Sequence, residues 1–341
     1  MTETLTVPEL PAAEVVGTGM ERADWLARRR LGIGGSDVAA LLGISPWHSQ
    51  MSLWMEKRGE LENAEQTDNQ RWGLALEEPI RSAFEEDTDI PVLRLPPITM
   101  YRSKQLPIAL ISPDGLTVSR PPEKGLLMGH MVVDGLFEAK TSNLYVSAEW
   151  EEGVPAYYAA QASWGLAVSG LPVEHFGVLV LGGMHPFSTF TVEADPSLHD
   201  MLFERAQEFW HLVETGVMPD VDGSSASTEA LKRRFKKAEP GKKIEGGFDL
   251  MNLIGQWQAA KDFAKDAETQ QDEIENRIRL ILGDAEIGMV NGMDAITWKE
   301  QGRTSLPVKE TLAAFPGAAA LVNESRFRVL RSANPKKGRS R

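Results

Sequence analysis

Two short apolar segments near the middle of the chain each carry one acidic residue, and this combination constrains the fold most strongly. Residues 107–118, PIALISPDGLTV, contain Asp114, and residues 135–143, GLFEAKTSN, contain Glu138. Both segments have the pattern of short strands, and a connection with glycine and proline separates them. Because a carboxylate in apolar surroundings is costly unless it is paired or bound to a cation, the pattern predicts a sheet with a shared polar centre.

The second segment also carries a lysine at a meaningful spacing. Side chains alternate between the faces of a strand, so Glu138 and Lys140 are expected on one face and Ala139 on the other. Asp114 can approach from the neighbouring strand. Two converging carboxylates form the oxygen-rich site that Mg²⁺ or Mn²⁺ requires, and a lysine beside them can orient or deprotonate a water molecule, or stabilise a phosphate. An exposed strand face with a salt bridge is the alternative interpretation.

The segments around these strands have helical periodicity. Trp72, Leu76, Ile80 and Phe84 recur every four residues, which predicts an amphipathic helix with a buried stripe. Along the chain, helices come first, followed by a cluster of strands, a helix, further strands and another helix. This order indicates an α/β or α+β core, with a central mixed sheet flanked by helices.

The length of 341 residues favours more than one domain. Residues 1–20 are expected to be a flexible N-terminus and residues 21–222 the catalytic domain. Residues 223–247, rich in serine and glycine and then basic, are predicted to be a linker. Residues 248–341 are predicted to form a C-terminal extension with a long helix and two short strands, GMDAITWKEQG and SRFRVLR.

Composition excludes several classes of site. The chain has no cysteine, so disulfides, thiol nucleophiles and cysteine-ligated metal centres are excluded. The N-terminus has no basic or apolar signal region, and the most apolar stretch is too short to cross a bilayer, so a soluble intracellular protein without a membrane partner is expected. A net charge of −13 would repel DNA, and any nucleic-acid role therefore depends on local basic patches such as Arg28–Arg30.

A glycine-rich turn, RRRLGIGGSD, follows the first predicted helix. It fails as a dinucleotide fingerprint because Asp37 stands at the last position and no strand precedes it, and it lacks the ending of a Walker A loop. Ser36 is a plausible N-cap for the helix that follows. A helix N-terminus, close glycines and an arginine can bind a phosphate, whereas a capped helix after a solvated basic turn is the alternative.

Five segments taken in order resemble the YqaJ-type viral recombinases, which are relatives of phage lambda exonuclease in the PD-(D/E)xK nuclease superfamily. They are RRRLGIGGSDVAALLGISPW, WGLALEEPI, SPDG, GLFEAKTSN and YYAAQASWGLAVSG. The resemblance covers residues 22 to about 215, and it extends more loosely to the C-terminal helix and strands. It implies a restriction-endonuclease-like core.

The resemblance also implies roles for single residues. The metal ligands would be Asp114, Glu138, the Ala139 carbonyl and Glu77, with Glu78 as the alternative to Glu77. Lys140 would be the catalytic lysine, and Gln161 would lie near the active site. Arg30 and Ser36 would bind the 5′-terminal phosphate of DNA.

The activity that the resemblance implies is a Mg²⁺-dependent, or Mn²⁺-dependent, 5′→3′ exonuclease. Such an enzyme digests linear double-stranded DNA from its ends and leaves 3′ overhangs for recombination by single-strand annealing. A ring-shaped homotrimer, an annealing protein as partner and a bacterial host cytoplasm are implied in the same way. The alternatives are a restriction-like endonuclease and a non-catalytic scaffold that binds DNA ends.

Overall fold

The chain forms two compact units in a computed structural model, residues 1–236 and residues 237–341. The structure describes residues 7–61, 67–119, 132–144, 146–183, 186–302, 311, 313–315 and 317. The second predicted C-terminal strand, SRFRVLR, lies outside the described residues. The boundary between the units falls inside the predicted linker, residues 223–247.

The first unit contains seven helices and eight strands in its described residues. The helices are α1 (Arg22–Arg29), α2 (Gly35–Leu41), α3 (Gln50–Lys57), α4 (Asp68–Thr88), α5 (Ala156–Ser169), α6 (Pro196–Thr215) and α7 (Ser225–Arg234), with a 3-10 turn at Ser147–Trp150. The strands are β1 (Ala13–Gly17), β2 (Val92–Leu93), β3 (Met100–Ser103), β4 (Leu110–Ile111), β5 (Gly115–Ser119), β6 (Val132–Asn143), β7 (Val173–Leu181) and β8 (Phe187–Glu193).

The central sheet has five strands in the order β2-β5-β6-β7-β8. Strand β6 runs antiparallel to β5 and parallel to β7, while β7 and β8 form an antiparallel pair. Helix α5 connects the two parallel strands, as a parallel pair requires a long crossover. The predicted mixed sheet flanked by helices is therefore confirmed. A second sheet has the order β1-β3-β4.

Helices α4 and α5 supply two apolar clusters that cover strand β6 and its neighbours. Ile80 and Phe84 of α4 pack with Phe137 of β6. Ala162 of α5 packs with Phe176 of β7 in a separate cluster. Because side chains alternate along a strand, Phe137 takes one face of β6 and leaves the other face for its sequence neighbours.

Helix α4 only partly follows the predicted buried stripe. Ile80 and Phe84 are buried as predicted, and Leu76 is half-buried. Trp72, however, is 57% exposed, so the buried stripe does not reach the N-terminal turns of the helix. The periodicity identified the correct face of the helix, but it carried no information on how far along the helix that face is covered.

The N-terminal segment differs from the predicted flexible lead-in. Strand β1 pairs antiparallel with β3, Leu10 is buried, and the Ala12 amide donates to the Ser169 carbonyl at the end of α5. Gly170 ends that helix with φ +72°, and a Cβ there would lie 2.8 Å from the Cβ of Ala12. Strand β1 thus forms the edge of the second sheet.

The predicted linker also differs in its first part. Helix α7 belongs to the first unit, where Ser227 and Ala230 are buried, and the Ser227 hydroxyl lies 2.8 Å from that of Ser49. The serines of the predicted linker have structural roles instead. Ser224 is the N-cap of α7, where its side chain accepts a hydrogen bond from the Ser227 amide, and the Ser227 hydroxyl makes the buried contact with Ser49.

The second unit consists of one long helix and a hairpin in its described residues. They are α8 (Gly247–Leu282), β9 (Ile287–Val290) and β10 (Met293–Thr297). Strands β9 and β10 are antiparallel, and α8 buries none of its residues. No described helix of either unit has an apolar run long enough to span a bilayer.

The role of the N-terminal segment can be tested by truncating a buried side chain. We expect Leu10→Ala to lower the free energy of unfolding by about 3 kcal/mol, because it leaves a cavity in the core. Val15→Ala, on the exposed side of β1, is the matched control. Urea denaturation measures both, and equal small effects would show that the segment does not contribute to the core.

Candidate active site

The pairing of β5 with β6 brings the two acidic segments together. Gly115, directly after Asp114, lies opposite Phe137, directly before Glu138. The Ala139 amide donates to Asp114 Oδ2 at 2.9 Å. The buried Arg81 of α4 donates from Nη2 to the Asp114 carbonyl at 2.8 Å. The turn before β5 is therefore fixed on both sides, and Asp114 is held against the strand that carries Glu138.

Glu138 and Lys140 lie on one face of β6, as predicted, and they contact each other. Lys140 Nζ is 2.7 Å from Glu138 Oε1, and Gln161 Nε2 of α5 donates to the same oxygen at 2.7 Å. Lys140 also donates to Gln161 Oε1 at 3.3 Å. Three of the predicted residues thus form a closed hydrogen-bonded triangle.

Tyr158 is a further contact of this lysine. Lys140 Nζ lies 4.6 Å from the centre of the Tyr158 ring. Tyr158 and Gln161 are three residues apart on α5, a spacing that places both on one helix face. That spacing, in the segment YYAAQ, is the signal by which sequence reasoning could have found Tyr158.

The structure separates the two adjacent glutamates of α4. Glu77 interacts electrostatically with Glu138, and its pKa is raised by burial and by that neighbouring charge. Glu78 instead forms ion pairs with Arg81 and Arg94. Arg94 Nη2 lies 2.7 Å from Glu78 Oε1, and the Glu78 side chain is more than half exposed to solvent. Glu77 is therefore the helix carboxylate that faces the centre.

Three carboxylates and one amine set the electrostatics of this centre. Burial raises the pKa of Asp114 well above its ordinary value, and the charges of Glu138 and Glu77 raise it further. Burial opposes the charged form of Lys140, but Glu138 above all holds the pKa of this amine above its ordinary value. Repulsion among buried acids is relieved by protonation or by a bound cation.

The oxygen donors of the centre fit a divalent cation in chemical type. Within the part of the chain that the structure describes, no three His, Cys, Asp or Glu side chains lie close enough to hold a metal ion. Donors occupy Glu138 Oε1 and Asp114 Oδ2, whereas no described residue donates to the second oxygen of either carboxylate. Two half-buried acids that each keep one oxygen without a donor are suited to Mg²⁺. The role of the Ala139 carbonyl stays a prediction.

A buried glutamate on the next strand was missed by sequence reasoning. Glu174 of β7 is 3% exposed, and burial and then the charge of Glu138 raise its pKa well above the ordinary value. A Cβ at Gly165 of α5 would lie 2.6 Å from Glu174 Oε2. The signal was present as an acid near the start of an apolar strand, opposite a glycine in the facing helix.

The glycine-rich turn leads into α2, and Asp37 organises it. The Gly34 amide donates to Asp37 Oδ2 at 2.9 Å, and Gly34 is the N-cap of α2 in place of the predicted Ser36. Asp37 also pairs with Arg29 at 2.5 Å and with Lys57 at 2.6 Å. Burial opposes the charge of Asp37, but Arg29 and then Lys57 hold its pKa well below the ordinary value.

Arg29, rather than the predicted Arg30, faces the same cleft as the hydrogen-bonded triangle of Glu138, Lys140 and Gln161. Arg29 Nη2 donates to Ser36 Oγ at 2.9 Å. Both residues line a cleft of about 220 Å³ together with Glu138, Lys140 and Gln161. Arg30 is the C-cap of α1, and it is not among the described residues that line this cleft. Three consecutive arginines give no sequence signal for which one points inward.

The buried charges around Asp37 allow a test by pH. We expect Asp37→Asn to lower the free energy of unfolding at pH 7 by about 3–5 kcal/mol, because two cations lose their anion. Since folding lowers the pKa of Asp37, its stabilisation is present above the unfolded value of about 4 and is lost as the pH falls below it. Urea titrations at several pH values should therefore show that the difference in free energy of unfolding between the unsubstituted protein and Asp37→Asn decreases once the pH falls below about 4.

The control for this test is Asp68→Asn, whose side chain is 83% exposed. We expect it to change stability by less than about 0.5 kcal/mol. A difference for Asp37→Asn that persists undiminished at low pH would contradict the assigned charge state.

Similarity to known proteins was found at the level of family and of structure. The family model of the YqaJ-like viral recombinase domain matches residues 24–172. The uncharacterized protein YqaJ of Bacillus subtilis (strain 168) is 32% identical over 313 residues, which are 91% of this chain and 93% of that protein.

Two solved structures are similar over about half of the chain. An alkaline exonuclease from Laribacter hongkongensis is 18% identical, covers 57% of this chain and 93% of its own, and has a TM-score of 0.45. A phage-related exonuclease from Haemophilus somnus 129PT is 9% identical, covers 55% of this chain and 96% of its own, and has a TM-score of 0.38.

Proposed function

Because the chain belongs to the YqaJ-like viral recombinase family, we propose that it is a Mg²⁺-dependent, or Mn²⁺-dependent, deoxyribonuclease. It digests linear double-stranded DNA from its ends in the 5′→3′ direction and leaves 3′ overhangs. These overhangs are the substrate for a single-strand annealing protein, which we propose as its partner in the host cytoplasm. The proposal includes a ring-shaped homotrimer, on the family resemblance alone.

One observation carries the proposal of phosphodiester hydrolysis. Asp114, Glu138 and Lys140 meet at the junction of β5 and β6, with Gln161 bound to both members of the Glu138–Lys140 pair. An exposed strand face, the alternative interpretation, does not account for a half-buried aspartate that accepts a hydrogen bond from the Ala139 amide beside Glu138 and whose pKa is raised by burial. Burial of several acids together is typical of functional sites.

The residues of the site have separate roles in the proposed reaction. With Asp114 and Glu138 as ligands and Glu77 facing them, a divalent cation would supply Lewis-acid stabilisation of the phosphate and a more acidic water molecule. Lys140, a cation beside Glu138, donates hydrogen bonds to a phosphate oxygen or to the attacking water. Gln161 holds Lys140 and Glu138 in a fixed relation, so that the amine stays directed into the cleft.

We assign direction along the DNA to the part of the cleft that is lined by Arg29 and Ser36. Arg29 and Ser36 are hydrogen-bonded to each other and line the cleft that also contains Lys140. A guanidinium and a hydroxyl at the start of a helix bind a terminal phosphate with charge-assisted hydrogen bonds. We therefore propose Arg29 and Ser36 as the 5′-phosphate ligands, and Arg30 becomes the comparison residue.

Cleavage can be tested with linear duplexes in the presence and absence of Mg²⁺. We expect Lys140→Ala to lower the cleavage rate at least about a hundredfold, because the developing charge loses its cation. Lys232→Ala, at an exposed lysine on α7, is the control and should leave the rate unchanged. Full activity of Lys140→Ala would refute the assigned mechanism.

The same assay distinguishes the alternatives by the form of the DNA. We expect no cleavage of a closed circle, because a circle offers no end. Cleavage of circles would favour a restriction-like endonuclease. Binding of DNA ends without Mg²⁺-dependent turnover, and unchanged by Glu138→Ala, would favour a non-catalytic scaffold.

The phosphate ligands can be tested by comparing ends with a 5′-phosphate and ends with a 5′-hydroxyl. We expect Arg29→Ala to reduce the preference for phosphorylated ends by about tenfold or more, because a charge-assisted contact is lost. Arg29→Lys should keep part of it, since the charge remains. If Arg30→Ala removes the preference and Arg29→Ala does not, the assignment to Arg29 is wrong.

A further inference from the structure

Helix α8 carries a heptad pattern along nearly its whole length. Ten residues follow one another at alternating spacings of three and four, and nine of them are apolar. We call this set the α8 seam. Its members are Leu250, Leu253, Trp257, Ala260, Ala264, Ala267, Gln271, Ile274, Ile278 and Ile281. Apolar residues at these spacings are the signature of helices that pack against other helices as coiled coils.

The α8 seam is uncovered in the described residues. Leu253 is 60% exposed, Ile274 57% and Ile281 85%, and only Trp257 and Ile278 are partly buried. A surface helix normally buries such a stripe against its own domain. A continuous apolar stripe on a helix of 36 residues is therefore an interaction surface.

We propose that the α8 seam packs antiparallel against the α8 seam of a second copy of this chain. If the proposed ring-shaped homotrimer forms, this two-fold contact joins copies that belong to different rings. The spacings between successive members alternate between three and four residues, and the series is the same whether it is counted from the N-terminal or the C-terminal end of the helix. Reversing one helix therefore aligns every member with a member of the other copy, and a two-fold axis passes between Ala264 and Ala267. The facing pairs are Leu250 with Ile281, Leu253 with Ile278, Trp257 with Ile274, Ala260 with Gln271, and Ala264 with Ala267.

Side-chain size supports the antiparallel direction. Trp257 faces the smaller Ile274, and the alanines meet at the centre, where the helices can approach closely. In a parallel pair, Trp257 would face Trp257 and Gln271 would face Gln271, which places two large or two polar side chains in one layer. Close packing of two helices is favoured when large side chains of one helix face smaller side chains of the other.

Charge complementarity supports the same direction. Lys261 and Glu268 flank the α8 seam at equivalent heptad positions, each four residues after a seam member. In the antiparallel pair, Lys261 of each copy faces Glu268 of the other, so the contact occurs twice. Lys261 Nζ already lies 4.6 Å from the ring centre of the seam residue Trp257. In a parallel pair, no two flanking residues that face each other have opposite charges. Charges at these flanking positions determine whether two helices pair in parallel or antiparallel.

Cysteine cross-linking of the full chain tests both the partner and the direction, because the chain has no native cysteine. The variants are Leu250→Cys and Ile281→Cys, one of them carrying a size tag, mixed in a thiol–disulfide buffer. Residues 250 and 281 are about 46 Å apart along one helix, at 1.5 Å per residue, so only an antiparallel neighbour brings them together.

We expect a tagged–untagged disulfide dimer in the mixture and no dimer from either variant alone. Thr269→Cys, on the opposite face of α8, is the control and should not cross-link with either variant. A dimer formed by Leu250→Cys alone would show a parallel pair, and the absence of any cross-link would show that the α8 seam does not bind a second copy. Either result would overturn the proposal.

Charge reversal tests the register independently. We expect Lys261→Glu and Glu268→Lys each to lower the equilibrium yield of the 250–281 disulfide about five- to tenfold, because two attractive contacts become repulsive. The double variant exchanges the charges and should restore the yield. A double variant that is no better than the single variants would refute the facing of Lys261 and Glu268. Nuclease activity does not enter these measurements, so they stand apart from the proposed function.

Discussion

The pairing of β5 with β6 is the constraint on which the rest of the first unit depends. It sets Asp114, at the entrance of one strand, against Ala139 and Glu138 in the middle of the other, with a hydrogen bond from the Ala139 amide to the Asp114 carboxylate. Ile80 and Phe84 of α4 cover the face of β6 that carries Phe137, which leaves the opposite face of the strand for Glu138 and Lys140. The helices on the two faces then deliver the remaining groups, Glu77 from α4 and Gln161 from α5.

Much of this site follows from the sequence because strand periodicity is local. Alternation along β6 is sufficient to place Glu138 and Lys140 on one face, and an acid in an apolar segment signals a partner or a cation. The choice between Glu77 and Glu78 is not local. It depends on Arg81 and Arg94, which draw Glu78 to the surface, and Arg94 lies outside the helix altogether.

The features that sequence reasoning missed share a physical cause. Arg29 faces the cleft because Asp37 binds it, and Asp37 is itself fixed by Lys57, twenty residues further along the chain. Strand β1 is ordered by β3, more than eighty residues away. Tertiary partners of this kind lie far away in the chain, which is why the sequence alone indicates neither the arginine that faces the cleft nor the strand in the predicted flexible N-terminus.

The charges of the cleft also bear on how an acidic protein can engage DNA. Two cations line the cleft or its base, Arg29 and Lys140, and each is already paired with an acid, Asp37 or Glu138. Glu174 also lines the cleft, and burial raises the pKa of its carboxyl and that of the Asp114 carboxyl. Among the described residues, the charged side chains that line the cleft are therefore two bases, Arg29 and Lys140, and two acids, Glu138 and Glu174, so the lining offers a phosphate backbone no net positive charge. Protonation of these acids, or a cation bound beside them, would remove the repulsion between their charged forms and a phosphate.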